Sequence, residues 1–335
     1  MRSFTAIWSP SRSGPQLAVG EVNEWSREPR VDVVVVAYRS SRDIGACLDS
    51  IELDRLRDSG IIVVDNASPD NSGAIAGNHP SSPVLIRSES NLGFGGACNL
   101  AARSSSAEYL FFVNPDARLT RGTTSRLCDL LTGDGSLAAA GPRIVDPAGL
   151  LKAASAGFEP SVRSAIGHFL LLGRLPILRS FFRPLQLPPG APGQRVDWVG
   201  GAAMMVRTAD FNEVGGFDAS MFLYMEDVDL CRRMRAHNRF IVYEPSVVVE
   251  HDVGGSQGAD QPARWFWAFH EYVSTQHGGR YARVVSGIAA IGLGIRALVA
   301  WFGRRGNARR LAVAAVAASR ATMNGKPSAS VRARS

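Results

Sequence analysis

Val31-Asp-Val-Val-Val-Val36 constrains this chain more than any other stretch. It is a short, β-branched, nearly all-apolar run, the pattern of a strand buried on both faces. Downstream, Ile44, Cys47, Leu48 and Ile51 recur at i, i+3, i+4 and i+7, which predicts an amphipathic helix. Ile61-Ile-Val-Val64 is a second buried strand and stops abruptly at Asp65-Asn-Ala-Ser-Pro-Asp70. Strand, helix and strand in this order form a βαβ unit with a right-handed crossover. The chain is therefore α/β, with a parallel sheet covered by helices. Ligands on such sheets bind beyond the carboxyl ends of the strands, where Asp65 and Asp70 emerge.

The pattern continues through a shorter strand, Val84-Leu-Ile86, into Asn91-Leu-Gly-Phe-Gly-Gly-Ala-Cys-Asn99, a glycine-rich start to a helix. A dinucleotide fingerprint fails here, because Cys98 occupies the third glycine position of G-x-G-x-x-G and the loop follows a third strand. A nicotinamide site is not expected on that ground. The glycines still allow a backbone to approach a phosphate or sugar closely. Tyr109-Leu-Phe-Phe-Val113 is another buried strand. It ends in Asn114-Pro-Asp116, where proline stops the ladder and Asp116 is presented. A helix around Thr120–Leu131 and a strand near Leu137–Ala140 follow.

Residues 157–195 break the alternation. Phe169-Leu-Leu-Leu172, Ile177-Leu178 and Phe181-Phe182 are interleaved with Arg163, Arg174, Arg179 and Arg183, then closed by Pro188-Pro189. This greasy, basic insertion is either a membrane-facing lid or a satellite core. Val196 to Val206 returns to strand character, and a short helix capped by Gly215-Gly216 comes next. Two strands, Phe240–Tyr243 and Val247–Val249, end the alternation at Glu250-His251-Asp252-Val-Gly-Gly255. A histidine beside glycines at a strand end is usually a surface residue; it becomes a candidate metal ligand if Asp116 lies nearby.

Between these segments lies Phe222-Leu-Tyr-Met-Glu-Asp-Val-Asp-Leu-Cys231, which sets Glu226, Asp227 and Asp229 at the start of a helix. Acids in a first turn complement the macrodipole, and Asp229 lies one turn from Arg233, so a purely structural reading is available. The aromatic flank of Phe222 and Tyr224 tilts the balance. It partly desolvates a carboxylate, raises its pKa and makes it a better base. Glu226 and Asp227 are the candidates for acid–base work.

Charge separates the body of the chain from its tail. No Asp or Glu follows Glu271, and residues 280–335 hold ten Arg and one Lys, a local charge of +11. The net charge of the whole chain is +7, so residues 1–279 carry −4. Within the tail, Val284–Gly303 is nearly apolar but includes Arg296 and four glycines. Spanning a bilayer would place Arg296 in hydrocarbon at a cost of about 2.5–3.5 kcal/mol. An interfacial helix fits better, with Arg304, Arg305, Arg309 and Arg310 meeting anionic headgroups. Residues 1–30 lack an apolar h-region and read as a disordered leader rather than a secretory signal. Cys47, Cys98, Cys128 and Cys231 are widely spaced, as expected of reduced, mostly buried thiols.

Six blocks in order are distinctive: Val-Val-Asp65-Asn-Ala-Ser, Asn91-Leu-Gly-Phe-Gly, Asn114-Pro-Asp116, Trp198-Val-Gly-Gly, Tyr-Met-Glu226-Asp227-Val-Asp and Glu250-His251. Together they resemble the family 2 glycosyltransferases of the GT-A fold over about residues 31–255. The nearest likeness is to the bacterial rhamnosyltransferase branch that builds the mycobacterial cell-wall linker. The resemblance implies a GT-A fold, a Rossmann-like, mostly parallel central sheet flanked by helices, with a C-terminal helical membrane-associating extension. It places the catalytic domain at 31–256, with 157–195 as an insertion. Residues 257–335 follow as a basic helical region with a disordered end.

The resemblance also implies inverting transfer from a nucleotide-diphosphate sugar, with a divalent metal, Mg²⁺ or Mn²⁺. By the family pattern Asp65 reaches the nucleobase beside the Ala37-Tyr38 turn, and Asn91, Gly93 and Asn114 complete the donor side. Asp116 matches the second, metal-binding acid of Asp-x-Asp, and His251 matches a late metal-proximal histidine. Asp227 matches the catalytic base, with Glu226 beside it. Trp198, Gly200 and Gly201 would line the sugar and acceptor region. Asn114 replaces the first acid of Asp-x-Asp, so the metal would lean more on the diphosphate itself.

The expected donor is dTDP-L-rhamnose and the expected acceptor a polyprenyl-diphosphate-linked N-acetylglucosamine. The protein is then peripheral at the cytoplasmic face of the plasma membrane, on an anionic surface. Another nucleotide sugar or a polysaccharide end would keep the fold and change the substrates. A nucleic-acid-binding protein led by its basic tail is the alternative of another class. That tail interleaves arginine with aliphatics rather than stacking aromatics, so no nucleic-acid partner is expected.

Overall fold

The structure, a computed structural model, describes residues 29–146, 155–175, 177–178, 181–188, 190–251, 261–303 and 308–324. Outside them lie residues 1–28 of the expected leader, Arg179, Pro189, Asp252-Val-Gly-Gly255, Arg304, Arg305 and the expected disordered end beyond 324.

The β-branched runs form the centre of the sheet. β1 (Val31–Ala37) is buried along its whole length and pairs in parallel with β2 (Ile61–Asp65) and β4 (Tyr109–Val113). β3 (Val84–Arg87) continues the parallel half beyond β2. Asp32 sits inside this apolar strand because its carboxylate accepts hydrogen bonds from Gly60 N–H at 3.0 Å and the Ser105 hydroxyl at 2.6 Å.

The second half of the sheet is mixed. β10 (Ala203–Arg207) runs antiparallel between β4 and β6 (Leu137–Val145). β11 (Phe240–His251) runs parallel to β6 and also pairs antiparallel with β5 (Ala117–Leu119) and β8 (Gln194–Val196). The order is β3-β2-β1-β4-β10-β6-β11-β5, with β8 beside β11. A small second sheet joins β7 (Ala156–Gly157) to β9 (Trp198–Val199).

Alternating side chains divide the core into two layers. Val33, Val35, Phe111 and Val113 point to the face covered by α1 (Ile44–Asp54), α2 (Ser72–Gly77) and α4 (Thr123–Gly133). Val34, Val36, Leu110 and Phe112 point to the face covered by α3 (Gly93–Ala102), α7 (Glu226–Ala236) and the C-terminal helices; α6 (Thr208–Glu213) adds Phe211 there. All four cysteines are buried and free, two in each layer.

Several elements differ from the sequence expectation in extent. The helix expected from Thr120 starts at Thr123. There the Asp54 carboxylate, at the end of α1, accepts from the backbone N–H groups of Gly122, Thr123 and Thr124. The strand expected at Leu137–Ala140 runs on to Val145. The two strands expected at Phe240–Tyr243 and Val247–Val249 are one, because pairing with β6 resumes after a bulge between Glu244 and Val248. The single stretch Val196–Val206 is cut into β8, β9 and β10, with a turn at Gly201-Ala202.

The tail folds back onto the body. α8 (Gln261–His277), α9 (Gly279–Phe302) and α10 (Ala308–Asn324) pack together, and α9 also packs on α5 (Val162–Phe169) of the insertion. A Cβ at Gly292 would stand 2.3 Å from the Phe169 carbonyl, so glycine permits that close crossing. Val162 N–H donates to the Tyr281 hydroxyl at 2.9 Å. The helix expected at an interface also covers the core: Ala282, Val285, Ala289 and Leu293 belong to the main core layer. The outer side of α9 stays apolar and open, with Ile291 62% and Trp301 74% exposed. By length and composition α9 is long and apolar enough to cross a membrane. The insertion is partly inside and partly outside the main core. Phe169 and Leu185 join the core, while Ile177 and Phe181 are exposed and Arg163 stacks on the Phe181 ring.

Candidate active site

The carboxyl ends of the parallel strands carry one half of the site. Ala37 closes β1 in register with Asp65, which closes β2, and half-exposed Tyr38 follows. The Asp65 carboxylate accepts from Ser68 N–H at 3.0 Å and has Arg87 at 3.9 Å. Asp70 is a loop clasp. Burial pushes its pKa up, but hydrogen bonds from Ser72, Ser68 and Ser41 outweigh that and hold it below the usual carboxylate range. Asn66, buried and absent from the sequence expectations, holds the glycine loop. Its amide donates to Asn91 Oδ1 at 3.0 Å and the Gly93 carbonyl at 3.2 Å, and its oxygen accepts from Leu92 N–H at 2.8 Å.

Gly93 joins that half to the acidic helix. Its φ is +72°, and an added Cβ would lie 2.4 Å from the Phe222 carbonyl oxygen. Phe222 leads through Tyr224 and Met225, at φ of 70° and 69°, into α7. Two successive side-chain-bearing residues in the left-handed region are costly, and such backbone concentrates at functional sites.

Those two residues aim Glu226 and Asp227. The Asp227 carboxylate accepts from Gly201 N–H at 2.9 Å and Val228 N–H at 2.8 Å. Burial raises its pKa, and these donors partly offset the rise. Glu226, unlike half-buried Asp227, is fully buried, and burial followed by the Asp227 charge raises its pKa strongly. One of its carboxyl oxygens has no hydrogen-bond partner among the described residues. A buried carboxyl and a half-buried one side by side disfavour ionising together. The two backbone donors favour the charged form of Asp227, whereas burial and that neighbouring charge push Glu226 toward its protonated form. Asp229 plays the structural part: it is buried and pairs with Arg233 at 2.7 Å and Arg232 at 3.0 Å.

The third cluster gathers strand ends from both halves of the sheet. Asn114 N–H donates to the Ala202 carbonyl at 2.9 Å, next to the Gly201 amide that holds Asp227. His251, at the end of β11, has its Nε2 3.0 Å from Asp116 Oδ1 and 3.2 Å from Asn114 Nδ2. The pairing of β11 with β5 creates this meeting, since His251 is in register with Ala117. An aspartate oxygen and an imidazole nitrogen so placed suit a divalent cation of intermediate hardness. Among the described residues no cluster of three or more His, Cys, Asp and Glu occurs, so a cation held here would take its other ligands from elsewhere.

A cavity of about 460 Å³ unites much of this. Of the residues expected from the sequence, Asn114, Trp198, Gly200, Gly201, Glu226, Asp227 and His251 line it, while Ala37, Tyr38, Asp65, Asn91, Gly93 and Asp116 lie outside its wall. Sequence reasoning missed Phe94, which packs within 3.2 Å of the position a Gly201 Cβ would take. It also missed Phe169, Trp265, Phe266, Phe269 and Arg296, contributed by the insertion and the C-terminal helices. Helical spacing of aromatics was the available signal, but it points equally to ordinary core.

Known proteins resemble this chain in sequence and in fold. Residues 32–185 match the model of Glycosyl transferase family 2. N-acetylglucosaminyl-diphospho-decaprenol L-rhamnosyltransferase of Mycobacterium tuberculosis is 29% identical over 266 residues, covering 74% of this chain and 85% of that protein. Pre-mycofactocin glycosyltransferase of the same species is 31% identical over 200 residues, covering 59% of this chain and 38% of that protein. Among solved structures, the mannosyltransferase PcManGT of Pyrobaculum calidifontis, in complex with GDP-Man and Mn²⁺, superposes with a TM-score of 0.59. That alignment, at 17% identity, covers 90% of this chain and 89% of that one, and supports the fold alone. Residues 32–185 thus match Glycosyl transferase family 2, and the fold is that of the GT-A glycosyltransferases.

Proposed function

We propose that the protein transfers L-rhamnose from dTDP-L-rhamnose to polyprenyl-diphosphate-linked N-acetylglucosamine, with inversion at the anomeric carbon. The observation that carries this reading is the Asp227 carboxylate, fixed by two backbone N–H groups in a cavity that Asn114 and His251 also line. Asp227 takes the proton of an acceptor hydroxyl as that oxygen bonds to the anomeric carbon. The bond from that carbon to the diphosphate breaks, and its electron pair leaves with the nucleoside diphosphate. General-base assistance of this kind is worth typically about 10²–10⁴-fold. Protonated Glu226 keeps a second negative charge away from the reacting centre.

Ala37, Tyr38, Asp65, Asn91 and Gly93 are assigned to the nucleotide side, and Trp198, Gly200 and Gly201 to the sugar and acceptor. A divalent ion, Mg²⁺ or Mn²⁺, supplies charge neutralisation for the departing diphosphate when bound. Asp116 and His251 would hold it, with Asn114 beside them in place of a further acid. The donor set fits such an ion, since one carboxylate and one imidazole leave positions for diphosphate oxygens. Residues 31–256 are assigned as the catalytic domain, with 157–195 as its insertion, and residues 257–335 as its membrane-associating region. The exposed apolar side of α9 and the +11 charge of residues 280–335 support peripheral attachment at the cytoplasmic, anionic face of the plasma membrane. The homology to a rhamnosyltransferase acting on a lipid-borne acceptor supports the choice of substrates.

The test is a panel of nucleotide sugars offered to the purified protein, scored for nucleoside diphosphate release and for transfer to a lipid-linked N-acetylglucosamine. dTDP-L-rhamnose is expected to turn over fastest. A faster donor replaces rhamnose in the reading, and no turnover with any donor ends it.

A further inference from the structure

We propose that the insertion and the C-terminal helices build an acceptor subsite, in which the apolar part of the active-site cavity holds the hydrocarbon chain next to the acceptor diphosphate. The proposal rests on the reading of a lipid-borne acceptor given above and assigns the residues that would receive it.

The cavity wall has two chemistries. Asn114, His251, Glu226 and Asp227 give it a polar part suited to sugar hydroxyls. Phe169, Trp265, Phe266, Phe269, Leu293 and Ala314 give it an apolar part. A nucleotide sugar has no use for the second set. A sugar ring can stack on one aromatic, but a wall drawn from α5, α8, α9 and α10 offers far more apolar surface than that. Trp265 and Phe269 stack at 5.3 Å with their planes 15° apart, making a flat side. Apolar lining of this extent in a roomy cavity is the usual signature of an apolar ligand.

Arg296 lines the same cavity. It is the one charged residue between Val284 and Gly303, so the single cation of an otherwise apolar stretch is spent at the site. Its guanidinium chemistry suits a phosphate. Leu293 and Arg296 face the cavity, while Ile295 and Leu298 on the same helix are 54% and 61% exposed. α9 therefore carries one apolar surface into the active site and another to the outside. A chain bound along the inner surface has its remainder close to the outer one, where a bilayer would meet it.

The test uses the full-length protein in solution, without vesicles or detergent. Two acceptors are compared, N-acetylglucosaminyl diphosphate esterified with methyl and the same headgroup on a ten-carbon isoprenyl chain. Each buried methylene is worth roughly a fourfold gain, so kcat/KM should favour the long chain by about tenfold or more. Ala314→Phe fills the slot without emptying any core, and should bring that ratio to within about threefold of unity. No chain preference in the wild type, or an undiminished preference in Ala314→Phe, overturns the proposal.

A second measurement needs neither donor nor turnover. A brominated ten-carbon diphosphate should quench tryptophan fluorescence of the wild type, and the conservative Trp265→Phe should reduce that quench, leaving the share of Trp198 in the same cavity wall. No quench in the wild type, or the same quench in Trp265→Phe, also overturns it. Nucleoside diphosphate release from donor alone tests the glycosyltransferase reading independently, so the two failures are distinguishable.

Discussion

Replacing Gly93 by alanine should reveal how tightly the glycine loop is tied to the acidic helix. Two penalties act at this position. The first is conformational, since φ is +72° and a side chain there costs roughly 1–2 kcal/mol. The second is steric, since the new Cβ would stand 2.4 Å from the Phe222 carbonyl oxygen, and backbone cannot swing aside as a flexible side chain does. Relieving that contact needs a shift of about 1 Å, and overpacking of this kind costs roughly 1–3 kcal/mol. The sum is about 2–5 kcal/mol.

Gly215 supplies the control. Its φ is +78°, but nothing lies within 4 Å of its added Cβ, so Gly215→Ala meets only the first penalty. Urea denaturation of both variants, read at unchanged m-value, gives the two numbers, and their difference isolates the contact. The displacement also has a catalytic consequence. Phe222 leads into Tyr224, Met225 and then Glu226 and Asp227, and a misplacement of about 1 Å at a reacting group can cost around 10²-fold. Gly93→Ala should therefore lose kcat while Gly215→Ala keeps it. Equal destabilisation by the two substitutions, or full kcat in Gly93→Ala, would refute the proposed coupling between the loops.

Other substitutions probe the acids directly. Asp227→Asn should cut turnover by about 10²–10⁴-fold with donor affinity near normal; retention of more than a tenth of turnover would move the base to Glu226, because Asp229 is engaged by two arginines. In the wild type, kcat should fall on the acid side at a pH above the ordinary carboxylate range, because burial raises the Asp227 pKa. Glu226→Gln should be milder in turnover and more stable than wild type at higher pH. The folded state holds a proton on Glu226 that the unfolded chain releases, so wild-type stability falls as pH rises above the ordinary carboxylate range, and the glutamine variant escapes that loss. A melting-temperature difference that does not grow with pH would contradict this. Asp116→Ala and His251→Ala should each weaken metal-dependent donor binding, measured by calorimetry, and excess divalent ion should partly rescue the second. Undiminished activity in strong chelator would remove the metal from the site.

What the sequence made legible follows from how local each signal is. Val31–Val36, Ile61–Val64 and Tyr109–Val113 read as buried strands because burial on both faces demands continuous apolar, β-branched residues. Strand ends then follow from where the run stops, which located Asp65 and Asn114 without further help. The antiparallel insertion of β10 between β4 and β6 has no such local mark, since nothing in Ala203–Arg207 names its neighbours. Asp54 capping α4 is equally silent, being a contact across 68 residues. Asp229 and Arg233 were legible as a pair because four residues along a helix bring side chains together. The tail was harder. An apolar stretch flanked by arginine looks the same whether it lies on a bilayer or on protein, and packing against α5, α8 and α10 distinguishes the inner side of α9.

The four cysteines give this molecule a built-in clock for its own opening. Cys98 and Cys231 lie in the layer that contains the C-terminal helices, and Cys47 and Cys128 in the opposite layer. Burial pushes each thiol pKa up, so none is a ready thiolate in the folded protein. An alkylating reagent therefore reacts at the rate at which each layer exposes its pair. If the C-terminal helices lift away before the rest of the sheet yields, Cys98 and Cys231 gain mass first, and the other two follow later. The order of labelling, read by mass spectrometry on the unmodified chain, reports which side of the sheet gives way without any introduced probe.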